Sequence, residues 1–166
     1  MAVITQAVLA EAAIAVDAMG LAEQAQLADE VFAHQPNLLA SVLVLQRMGV
    51  SLPQMDVPIH ILLVAYQAMK TSGHTWPVIS EDTQESCLRR LTRRIRSTHG
   101  SGRRSLQRTI QHYIDEHREP YLLAFAYGYL EENDLLGVRT DAELFIIPHI
   151  DLISKLDLIS RIPLLR

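Results

Sequence analysis

Apolar residues recur at helical spacing along nearly the whole chain, and that periodicity constrains its fold more than any other feature. Side chains three and four residues apart share one face of an α-helix, so a chain patterned this way must bury helical stripes against one another. Strand-type alternation is weak: the best segment, Phe145-Ile146-Ile147, is cut short by Pro148, which cannot donate to a ladder. The pattern breaks at Gly20, Pro36, Gly49 to Pro53, Gly73 to Pro77, Gly100 to Gly102, Pro120 and Gly137. These breaks delimit about eight helices. The expected fold is all-α, an irregular multi-helical bundle whose short connections favour antiparallel neighbours.

The helices differ in how much of their circumference is apolar. Residues 4–19 form an alanine-rich helix that permits close approach of a neighbour. Residues 21–34 form an amphipathic surface helix, with Leu21, Ala25, Ala28 and Phe32 on one side and Glu23, Asp29 and Glu30 mostly elsewhere. Segments 37–48, 57–69 and 120–132 are apolar around most of their circumference and are expected at the buried centre. Pro36 and Pro120 occupy first-turn positions, where a missing N–H is harmless, and Pro58 suits a helix that starts just after Asp56 as N-cap. Beyond Gly137, Thr140-Asp141 can cap a brief helix. From His149 to Arg161 the chain is amphipathic, with Leu152, Leu156 and Ile159 at i, i+4 and i+7. This tail, 149–166, either docks on the domain or supplies an oligomer contact. The repeated Asp-Leu-Ile-Ser at 151–154 and 157–160 is too short for a repeat architecture, and the solenoid-like spacing of Ala28, Phe32 and Pro36 has no second copy.

The 166 residues suit one domain, 1–166, and a chain of this size buries roughly 68–70% of its unfolded surface. Aromatics make up only 5%, so the core must be built from Leu, Ile, Val and Ala. Cys87 is the sole cysteine, which rules out an intrachain disulfide and points to no oxidising compartment. No basic region precedes the first apolar stretch, and Glu11 and Asp17 interrupt it, unlike a signal peptide. The longest apolar runs, 38–45 and 59–65, fall short of the ~20 residues of a spanning helix. The expectation is a cytoplasmic protein without membrane association.

The net charge of −4 is unevenly distributed. Between Ser86 and Ile114 there is no acid, while Arg89, Arg90, Arg93, Arg94, Arg96, Arg103, Arg104 and Arg108 account for more than half of the 15 Lys and Arg. At about 100° per residue, Leu88, Leu91 and Ile95 share a narrow stripe, with the first five arginines fanned over the opposite face. After Gly100-Ser101-Gly102 a second helix turns Leu106, Ile110, Tyr113 and Ile114 inward. The result is a helical hairpin with a basic outer surface. Arg103 and Arg104 lie near a helix N-terminus, where the macrodipole disfavours cations and a bound anion would resolve the conflict. The plainer reading is that the arginines are solvated or pair with Glu81-Asp82, Asp115-Glu116 and Glu131-Glu132. Only Tyr113 interleaves them, so a base-stacking platform is not expected.

Three carboxylate–histidine pairs stand at i, i+4: Glu30 with His34, Asp56 with His60, and His112 with Glu116. The Glu-x-x-His signature of carboxylate-bridged bundles is absent, and neither a metal nor a cofactor is expected. His34 reads as a helix-end residue, His112–Glu116 as a surface pair, and His60 as a core histidine satisfied by a neighbour. Tyr121, Phe125 and Tyr129 stand at i, i+4 and i+8, with Tyr127 elsewhere on the same helix, and read as core with tethered hydroxyls. No G-x-S-x-G, P-loop, Rossmann glycine pattern, paired cysteine or HExxH occurs. Cys87, next to arginines, is at most a reactive thiol. No catalytic residue is assigned. By elimination the chain reads as a non-enzymatic helical protein-interaction module that self-associates, through the 149–166 tail or the basic hairpin. The rival is an anion or nucleic-acid binder acting through hairpin 86–114, with nucleic acid disfavoured by the acidic chain. A helical metalloenzyme ranks third.

Overall fold

The computed structural model describes residues 4–47, 49–74, 76–86, 89, 93, 103–117 and 119–135. Among them are seven helices and no strand, as the apolar periodicity predicts. They are α1 (Gln6–Ala18), α2 (Leu21–His34), α3 (Pro36–Arg47), α4 (Leu52–Thr71), α5 opening at residue 81, α6 (Arg103–Glu116) and α7 (Pro120–Glu132).

Local chemistry sets most of the boundaries. The Thr5 hydroxyl accepts the Val8 N–H at the start of α1, and the Glu23 carboxylate reaches back 2.8 Å to the Gly20 N–H at the start of α2. Gly49, at φ 97°, closes α3: the Val50 N–H reaches the Leu45 carbonyl across a left-handed residue that a side chain would strain. Asp134, at φ 58°, serves the same purpose after α7, where the Leu135 N–H meets the Leu130 carbonyl.

One start differs from expectation. α4 begins at Leu52 rather than after Asp56, because the Gln54 amide oxygen accepts the Ser51 N–H at 3.1 Å and Pro53 already fills the first turn. Pro58 therefore lies inside the helix and Asp56 is not its cap. Pro58 has no N–H to offer the Gln54 carbonyl, an expense that its burial and that of its neighbours must offset.

α4 is the hub, touching α1, α2, α3 and α7. Its Ile61, Leu62, Val64, Ala65 and Ala68 are fully buried. α1 lays Leu9, Ala12 and Val16 against this core, the small Ala12 admitting the close approach that the alanine-rich sequence suggested. α7 adds Leu122, Leu123, Ala126, Tyr127 and Leu130. α3 buries Leu38, Ser41, Val42 and Leu45 but leaves Leu43 and Val44 exposed, so it lines the core rather than crossing its centre. α6 packs on α7 with Ile114 buried and Ile110 and Tyr113 half-buried, the inward face expected for them.

A polar clasp holds the segment after α4. The buried Gln35 amide donates to the Pro77 carbonyl at 2.8 Å and accepts from the Ile79 N–H at 3.0 Å, while Asn37 donates to the Ile79 carbonyl. Trp76 Nε1 donates to the Met69 carbonyl. Residues 76–79 are thereby tied to the corner between α2 and α3.

Candidate functional site

The arginine region is described at few of its side chains. Arg89 is ion-paired with Glu85 one turn earlier, a carboxylate outside the three acidic clusters suggested by the sequence. Glu131 of those clusters instead accepts Gln107, and Asp115 accepts Gln111. Arg93, Arg104 and Arg108 are exposed, and among the described residues they form no ion pair. Arg90, Arg94 and Arg96, the side chain of Arg103, Cys87, and the tail residues Leu152, Leu156 and Ile159 lie outside the described residues, as does the strand candidate at 145–147.

Of the three carboxylate–histidine pairs, His112 with Glu116 forms an ion-pair contact within the pair. His34 uses Nδ1 against the Glu30 carbonyl at 2.9 Å and the Tyr66 hydroxyl at 2.8 Å, whereas the Glu30 carboxylate goes to Lys70 at 2.6 Å. His112 and Glu116 meet at 3.4 Å on the surface. Among the described residues no three His, Cys, Asp or Glu side chains converge as a metal site would need.

His60 finds its partners on other helices. Its Nε2 lies 3.7 Å from the Asp17 carboxylate of α1, and its ring stacks on Tyr129 of α7 at 4.6 Å between centroids, with Phe125 tilted against it. Burial pushes the imidazole below its ordinary pKa, and Asp17 opposes that shift. Burial also raises the Tyr129 phenol, joined by the negative field of Asp17, Glu132 and Asp56. The constellation keeps a neutral ring packed where α1, α4 and α7 meet. The Asp17 contact is too long for a hydrogen bond, so it does not orient the imidazole as a general base requires. The aromatic stripe expected in the core sits at its margin: Tyr121 is exposed and Phe125 and Tyr129 are half-buried, while Tyr127 is the buried member.

α2 departs most from the sequence reading. Its buried side chains are Leu27 and Val31. Leu21 is 87% exposed, Phe32 is 63% exposed, and Ala25 between them is exposed as well. At about 100° per residue, Leu21, Ala25, Ala28 and Phe32 span an arc of roughly 60°, centred roughly 110° from Leu27 and Val31. The stripe predicted from spacing exists, but Leu21, Ala25 and Phe32 face solvent, while half-buried Ala28 packs against the core. The helix thus carries two apolar arcs, one turned to the core and one with no cover among the described residues. Leu43 of α3, across the single-residue corner at Gln35, is 49% exposed.

These features, an all-helical bundle with an uncovered apolar stripe on one helix, define the chain by architecture alone. Compared with known proteins, it matches no family model, no curated sequence and no solved structure.

Proposed function

We propose that the protein is a helical interaction module whose contact surface is the α2 stripe of exposed Leu21, Ala25 and Phe32, with half-buried Ala28 along its core-facing edge. The observation that carries this reading is the exposure of Leu21 and Phe32 on a helix already anchored by Leu27 and Val31. Neither residue is needed to hold α2 in place, and each leaves a large apolar surface in water. Burying one such side chain contributes about 1.5–3 kcal/mol, so the two ends of the stripe together carry enough to anchor an interface. Isolated exposed leucines are ordinary on protein surfaces, but Leu21, Ala25 and Phe32 together line three turns of one helix face, a pattern that favours a contact surface.

The test is a panel of designed amphipathic helical peptides with one leucine face and a basic, acidic or neutral polar face, titrated against the chain, together with its sedimentation over a wide concentration range. Saturable binding of any member, or self-association, that is lost in Phe32→Asp supports the module. If no peptide binds and the chain sediments as a monomer throughout, the stripe is not a contact surface.

A further inference from the structure

Resting on that reading, we infer that the occupant of the α2 stripe is an amphipathic helix of another protein that carries Lys or Arg beside its apolar face. Shape argues for a helix. The stripe runs from Leu21 to Phe32, about 16 Å or three turns, with small Ala25 and Ala28 between two bulky ends. A saddle of this form accepts side chains spaced i, i+3 or i+4, and i+7, as an amphipathic helix presents them; a partner strand added to a sheet would need a sheet edge, and no strand occurs among the described residues.

Charge argues for a basic helix. From Ile4 to Gln46 the chain has no Lys or Arg, and it carries Glu11, Asp17, Glu23, Asp29 and Glu30. Three of these are engaged: Asp17 lies beside His60, Glu23 caps α2, and Glu30 holds Lys70. Asp29 is exposed, forms no ion pair among the described residues, and lies roughly 40° around the helix from Ala25, at the rim of the stripe. Glu11 on α1 is also exposed, so the exposed charges of residues 4–46 that form no ion pair among the described residues are negative, Arg47 standing at the far end of α3. The same charges oppose a symmetric dimer through this face, because an isologous contact sets like surfaces against each other.

The peptide panel separates this inference from the reading beneath it. The basic-faced peptide is expected to bind roughly tenfold or more tighter than the acidic-faced one, with affinity that falls as salt rises. Phe32→Asp is decisive, since it adds a carboxylate to the site: attraction by charge alone would strengthen, whereas docking on the stripe weakens roughly tenfold or more. Asp29→Lys is expected to weaken the basic peptide and strengthen the acidic one. Circular dichroism confirms that each variant keeps its helicity, as substitutions of exposed residues should. Equal binding of basic and acidic peptides, both lost in Phe32→Asp, would overturn the basic partner and leave the contact surface standing. Self-association lost in Phe32→Asp would overturn it in favour of a second copy of this chain. Binding of the basic peptide that survives Phe32→Asp would overturn it altogether.

Discussion

A single imidazole gives the bundle a dependence on pH. His60 is held below its ordinary value of 6.5 because burial against Tyr129 and Phe125 disfavours its charged form, with Asp17 pulling the other way. The unfolded chain therefore binds the proton more tightly than the native one. Stability contributed by neutral His60 is whole above about pH 6.5 and is lost as pH falls through the lower, folded value. Urea midpoints measured at pH 7.5 and pH 5 are expected to drop on acidification, and the drop should shrink in His60→Phe, which keeps an aromatic ring but cannot titrate. Asp17→Asn removes the carboxylate that holds the pKa up, so its acid loss should be larger than that of the native protein. An acid loss unchanged by His60→Phe would place the responsible group elsewhere. The Gln35 amide represents the opposite kind of buried polarity. It has no charge to shift, and its donor and acceptor are both satisfied by backbone 42 and 44 residues away.

Among the elements, α2 makes the sharpest claim, because two faces of one helix should respond oppositely to the same deletion. Leu27→Ala removes a buried side chain and is expected to cost about 2–5 kcal/mol, whereas Leu21→Ala on the exposed stripe should stay within about 0.5 kcal/mol. Thermal melts of the two variants check this directly, and equal losses would mean that Leu21 is covered in solution. The comparison also shows what was legible before the structure. Both ends of α2 and the start of α7 were readable, because Gly20, Pro36 and Pro120 interrupt the helical period. Which face of α2 turns inward was not. Spacing points to the Leu21–Phe32 arc and does not single out Leu27 and Val31, whose burial is decided by α3 and α4, outside the local pattern. The start of α4 was misplaced because Pro53 and Pro58 both suit a first turn. The signal that decides between them is Ser51-x-x-Gln54, a reciprocal cap one turn earlier. For His60, local spacing offered Asp56, while the fold supplied Asp17 and Tyr129 from two other helices.

At the scale of the whole molecule, an aliphatic core organised around α4 leaves α1 dependent on distant partners. The Glu119 side chain, 1% exposed at the head of α7, accepts the Ile4 N–H at 2.9 Å, joining residues 115 apart. Glu119→Ala is expected to lower stability by about 1–3 kcal/mol, the cost of leaving the buried Ile4 N–H without its acceptor, with denaturant titration as the measure. That bond has a further consequence for the order of events in synthesis. The ribosome releases Ile4 115 residues before Glu119, so α1 waits through that stretch of synthesis without its anchor. Leu9, Ala12 and Val16 wait for α4 and α7 as well. At roughly 5–20 residues per second, that delay is several seconds or more of uncovered apolar surface on the nascent chain. Release of a chain truncated after Glu116 should reproduce this stage: it lacks α7 and the anchor, and is expected to be cut within α1 by a protease that spares the full-length protein.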